Sequence, residues 1–180
     1  MLGKISMTEP TTANQEKIAA LRNEATRLEE DATYSSKSHF NAEGTWLSLN
    51  YWLGIPATAL GAIAGATLIK SQPEWAAAFT LFASLLTGLM TFLKPNERAS
   101  LHRTAAGKFL ALRNESRFFK EVELINSQKI DELTKRLKTL ATERNELNLN
   151  SPSIPRHAFV AARRGIEEGE ATHKVDKENK

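Results

Sequence analysis

The sequence predicts an all-α chain: a two-helix transmembrane hairpin standing on a cytoplasmic coiled coil or small helical bundle. Three observations carry this. Residues 44–69 and 75–93 contain no Asp, Glu, Lys or Arg. Apolar residues elsewhere recur at steps of three and four, the heptad spacing. Pro73, Pro95, Pro152 and Pro155 fall at the breaks between these segments.

The bulk numbers bound the rest. The chain has 180 residues, and 24 Lys plus Arg stand against 21 Asp plus Glu, giving a net charge of +3. A pI near 9.2 on so small an excess is a mild signal, and no nucleic-acid partner is expected. There is no cysteine, which excludes disulfides, thiolate chemistry and Cys-based zinc sites. The mean hydropathy of −0.37 averages over two very different kinds of segment. Residues 1–43 carry no apolar run of the kind a cleavable signal needs.

Residues 1–11 are expected to be disordered and residues 12–43 to form a cytoplasmic helix. Thr12 can cap it, with Gln15 three residues on. Ile18, Leu21, Ala25, Leu28 and Ala32 step 3, 4, 3, 4 and make its seam.

The hairpin spans 44–94. Thr45–Ile69 is a run of 25 uncharged residues and Trp75–Leu93 a run of 19. As helices they would be roughly 37 and 28 Å long, enough to cross a hydrocarbon core. Pro56 is a candidate kink. Trp46, Tyr51 and Trp52 crowd one end and Trp75 opens the return, as headgroup-level rings do. "KSQPE" at 70–74 is a tight turn. The tip carries Lys70. The flanks carry Lys17, Arg22, Arg27 and Lys37 on one side, and Lys94, Arg98, Arg103, Lys108 and Arg113 on the other. The positive-inside rule then puts both termini in the cytoplasm.

The two spans differ. Gly54, Ala57, Thr58, Gly61, Ala64 and Gly65 form a small-residue face, with "GAIAG" a G-x-x-x-G pair, suited to close packing against the second span or another copy. Thr80, Ser84, Thr87, Gly88 and Thr91 form a narrow hydroxyl stripe. Its hydroxyls satisfy backbone carbonyls or bridge to the first span, or the stripe lines a pore in an oligomer. No ionisable residue lies within either span, which argues against a proton relay or a charge-selective filter.

Residues 95–165 are expected to be cytoplasmic helices. Pro95 and Asn96 supply a break and a cap, and Leu101, Ala105, Phe109, Leu112, Phe119 and Val122 an apolar side. Ser127 can cap the next helix, whose seam is Ile130, Leu133, Leu137, Leu140 and Leu147, with Arg144 among them. "NSPSIPRHAF" reads as a rigid bend, followed by a short helix from Pro155 to about Gly165. Residues 166–180 read as a disordered tail. His39, His102, His157 and His173 fall in separate segments without ligand spacing, and His102 beside Arg103 reads as an interfacial residue. No catalytic motif, metal site or cofactor is expected.

The order of parts, with "FLKPNERASLHRTAAGKFLALRNE" after the hairpin and "SPSIP" before the last helix, resembles the SLATT family, the SMODS- and SLOG-associating two-transmembrane effector domains. The resemblance covers roughly residues 13–165. It implies a non-enzymatic effector that oligomerises to form a pore or disrupt the inner membrane in a nucleotide-signalled anti-phage system. A nucleotide-synthesising or sensor protein would be its partner. The alternative from the residues alone is a membrane scaffold that recruits a partner through its coiled coil.

Overall fold

The computed structural model describes residues 12–70, 72–126 and 129–173, and among them every element is helical. The expected disorder of 1–11 and the Ser127 cap lie outside the described residues. The helices are α1 (Thr12–Ile69), α2 (Pro73–Leu93), α3 (Pro95–Phe118), α4 (Leu124–Asn126), α5 (Ile130–Asn150) and α6 (Arg156–Glu167); a π-helical turn, Phe119–Glu123, joins α3 to α4. Two of them contain windows long and apolar enough to cross a membrane, and only 11% and 6% of those windows is buried within the chain. A core helix of a soluble monomer would be covered; these are not.

The boundary expected between residues 43 and 44 is not a break. α1 runs 58 residues without interruption, through Gly44 and Pro56. One rod therefore supplies both a wall of the bundle and the first arm of the hairpin. The break comes instead between α2 and α3. Pro95 disfavours the α conformation in the residue before it, and Lys94 adopts φ 47°, ψ 53°, the left-handed region. Its N–H bonds Met90 O at 2.9 Å, closing α2, and Pro95 takes the first helical position of α3. Lys94, rather than Asn96, occupies the cap position of α3.

The bundle core joins α1, α3 and α5. Leu21, Ala25, Leu28 and Ala32 meet Phe109, Leu112, Phe119, Leu133, Leu137, Leu140 and Leu147. Ile18 is only half-buried. The α3 seam lies one position from the expected one at its start. Leu101 is 59% exposed and Val122 38%, whereas the buried positions are His102, Ala105, Phe109, Leu112, Ser116 and Phe119, stepping 3, 4, 3, 4, 3. Arg144, expected within the α5 seam, reaches out to pair with Asp31 of α1. At the π turn, Lys120 Nζ meets Glu29 Oε2 at 2.6 Å, both largely covered. Burial opposes the ammonium charge, but hydrogen bonding and attraction to Glu29 outweigh it and hold Lys120 above its usual range.

α6 lies on α1 through Ala158, Ala162 and Gly165, all buried, with Asn41 Nδ2 donating to Ala158 O at 3.2 Å. Residues 166–173 of the tail expected to be disordered are ordered, and residues 174–180 lie outside the described residues. α6 continues to Glu167, and Gly169, at φ 90°, turns the chain back so that Glu170 N bonds Gly165 O at 3.0 Å. Glu170 then pairs with Lys37, Arg113 donates to Ala171 O, and Arg117 meets His173 at 2.7 Å. Low apolar content is compatible with order here because charged partners on α1 and α3 fix the segment.

The shifted seam is testable. Phe109→Ala should cost about 3–5 kcal/mol of bundle stability, and Leu101→Ala less than about 1 kcal/mol, in denaturant unfolding of the detergent-solubilised chain. Equal costs would restore the seam expected from sequence.

Candidate functional site

The small-residue face and the hydroxyl stripe wall the same space. α1 contributes Ala57, Gly61 and Gly65, and α2 contributes Thr80, Ser84 and Thr87, to an open groove of about 1120 Å³ between the hairpin arms. No ionisable side chain lines it. The arms touch through alanine: Ala57, Ala64 and Ala76 are buried. Gly54 packs separately, where an added Cβ would lie 3.3 Å from Met90 Cε. At Gly61, Gly65 and Gly88 an added Cβ would meet nothing within 4 Å. Within one chain these three glycines are therefore not required for close packing.

The threonines satisfy themselves. Thr80 Oγ1 donates to Ala76 O at 2.8 Å, Thr87 to Ala83 O at 2.9 Å and Thr91 to Thr87 O at 2.9 Å. Each bond runs four residues back along α2, the usual way a hydroxyl is accommodated in an apolar helix. None crosses to α1. Ser84 is exposed to the groove. Gly88 and Thr91 do not line the groove.

At the base of the hairpin the three basic residues are individually held. Lys94 pairs with Glu97 at 3.2 Å. Arg98 stands 5.0 Å over the Trp46 ring and donates from Nε to Leu93 O at 3.0 Å. Arg103 pairs with Glu43 of α1 at 3.2 Å. Exposed aromatics mark both ends of the arms: Tyr51 (60%) and Trp52 (77%) on α1, and Trp75 (61%), stacked on Phe79, at the start of α2.

Immediately below lies a feature that sequence reasoning missed. His39 of α1 and His102 of α3 are 1% and 3% exposed, and their Nδ1 atoms are 2.9 Å apart. One ring donates an N–H and the other accepts, so the contact requires at least one neutral imidazole. His39 stacks on Phe109 at 5.6 Å between centroids. Nearby, Ser36 Oγ donates to Ala106 O at 2.9 Å. Burial, reinforced by His102, lowers the His39 pKa to about 4. Burial and then the Arg98 guanidinium hold His102 below its usual value. His102 is thus a buried pairing residue and not the interfacial one expected. Among the described residues no cluster of three metal-ligating side chains forms.

The pair makes a pH prediction with a defined sign. A histidine with a lowered folded pKa binds its proton more readily when unfolded. Its contribution is complete above pH 6.5 and is lost as pH falls from there toward 4. His39 alone accounts for about 2 kcal/mol lost by pH 5. Replacing both rings by the non-titrating pair His39→Gln and His102→Gln should flatten this part of the stability–pH curve. An unchanged slope between pH 7.5 and 5 would contradict it.

No family model, curated protein or solved structure matches the chain.

Proposed function

We propose that the hairpin crosses the inner membrane twice, with both termini in the cytoplasm, and that copies of the chain assemble through their hairpin grooves into a pore or membrane-disrupting oligomer. The observation that carries this is the vacancy of the groove within one chain. Gly61 and Gly65 have no neighbour to accommodate, yet they stand on one wall of a concave, uncharged surface. Close helix approach in lipid is driven by such surfaces. The threonine hydroxyls, already bonded to their own backbone, can face either a partner helix or water without leaving a donor unsatisfied.

The bundle supplies the control. α1 is continuous from bundle to hairpin, so a partner that displaces the bundle also displaces the first arm. The resemblance to SLATT effectors points to a nucleotide-synthesising or nucleotide-sensing protein as that partner and to anti-phage defence as the setting. No catalytic role is proposed for any residue.

Expression with a membrane-potential dye tests the reading. The wild-type chain, with its trigger present, should depolarise cells, whereas Gly61→Leu/Gly65→Leu, or Ser84→Leu, should reduce depolarisation at least about tenfold while leaving insertion unchanged. If replacing the hairpin by an unrelated two-span anchor preserved function, the chain would be a scaffold that recruits a partner through its bundle.

A further inference from the structure

Where the hairpin meets the bundle, a cleft of about 400 Å³ opens between Trp46 of α1, the end of α2, the first turns of α3 and the Pro152–Pro155 segment. Its lining is mixed in character. Phe92, at the end of α2, lines it and is 84% exposed, and Leu101, in α3, lines it and is 59% exposed. Lys94, Arg98 and Ser153 also line it. The cleft thus combines exposed apolar side chains with cationic ones.

The Arg98 guanidinium is preorganised. Its Nε is fixed on Leu93 O at 3.0 Å and its central carbon stands 5.0 Å over the Trp46 ring. Arginine has five donors, and one is used here. Among the described residues the two terminal nitrogens of Arg98 have no hydrogen-bond partner. A forked pair of donors on a fixed guanidinium matches the oxygens of a phosphate. Lys94 lines the same cleft, its ammonium 3.2 Å from Glu97. With Lys94 and Arg98 against Glu97, the cleft keeps a net positive charge.

We propose that this cleft binds the headgroup of an anionic phospholipid, with Arg98 receiving the phosphate oxygens and Phe92 lying along the start of the acyl chains. The site depends on the two-span reading, which puts this junction at the cytoplasmic headgroup level. There the leaflet potential favours cations by about 1 kcal/mol each, or about fivefold in occupancy. The bound lipid sits against His102 and the α2–α3 break and ties the bundle to the leaflet.

Trp46 provides the readout. The full chain carrying Trp52→Phe and Trp75→Phe is reconstituted in equimolar phosphatidylcholine and phosphatidylglycerol, with bromines on the acyl chains of one lipid or the other. Brominated phosphatidylglycerol should quench Trp46 more strongly, corresponding to a local enrichment of about fivefold. Arg98→Gln should abolish the preference. Glu97→Gln, which releases Lys94 from its pair, should increase it, a direction that general unfolding would not produce. Equal quenching by both lipids overturns the site while leaving the spans intact; quenching by neither overturns the spans and the site together. Inorganic phosphate, compared with chloride at matched ionic strength, should leave the preference unchanged. If phosphate specifically erases it, the cleft takes the free anion and the lipid assignment fails.

Discussion

The bundle and the hairpin share a helix, and the contact between α1 and α3 fixes how both are arranged. Leu21, Ala25, Leu28 and Ala32 bury against Phe109, Leu112 and Phe119 in the lower part of that contact. Higher up, it passes from apolar to polar: Ser36 bonds the α3 backbone and His39 bonds His102. Above the histidines α1 continues as the first arm of the hairpin, while the chain of α3 turns at Lys94 into the second. Both arms therefore take their spacing from a polar layer that lies directly beneath them.

That layer is costly if half-made. A buried imidazole whose partner is removed loses about 1–3 kcal/mol of hydrogen bonding, and a protonated pair would bring two like charges into contact. Leucine at both positions would give a simpler core. A polar pair instead defines the register of α1 on α3, as single polar residues do in coiled coils, and makes the junction responsive to proton activity. The strained Lys94 backbone and the Arg98 stack on Trp46 sit on the neighbouring turns. The hairpin base and the top of the bundle thus converge on a few residues.

Much of this was legible in the sequence for definite reasons. Exclusion of charge over residues 44–69 and 75–93 is a local property, so the hairpin could be read directly. The small-residue and hydroxyl faces follow from a period of 100° per residue, and both are present; that they wall one groove depended on the pairing of the arms. The histidine pair was hidden because a search for apolar spacing passes over polar residues in a seam. The signal was nonetheless there: His102, Ser116 and Phe119 continue the 3–4 steps of Ala105, Phe109 and Leu112, while Leu101, one residue away, drew the seam off register. The ordered segment through His173 depends on Lys37, Arg113 and Arg117, which are distant in sequence, so composition alone could not find it.

Two crossings with the tip outside are the premise from which the groove, the lipid cleft and the effector role acquire their setting. The absence of cysteine makes that premise directly measurable. Single cysteines placed at Gln72, at the tip, and at Asn150, at the end of α5, can be exposed in intact cells to a membrane-impermeant maleimide. The two-span arrangement predicts labelling at position 72 from outside and labelling at position 150 only after the membrane is opened. Labelling of position 150 in intact cells, or protection of position 72 before lysis followed by labelling after it, would contradict it.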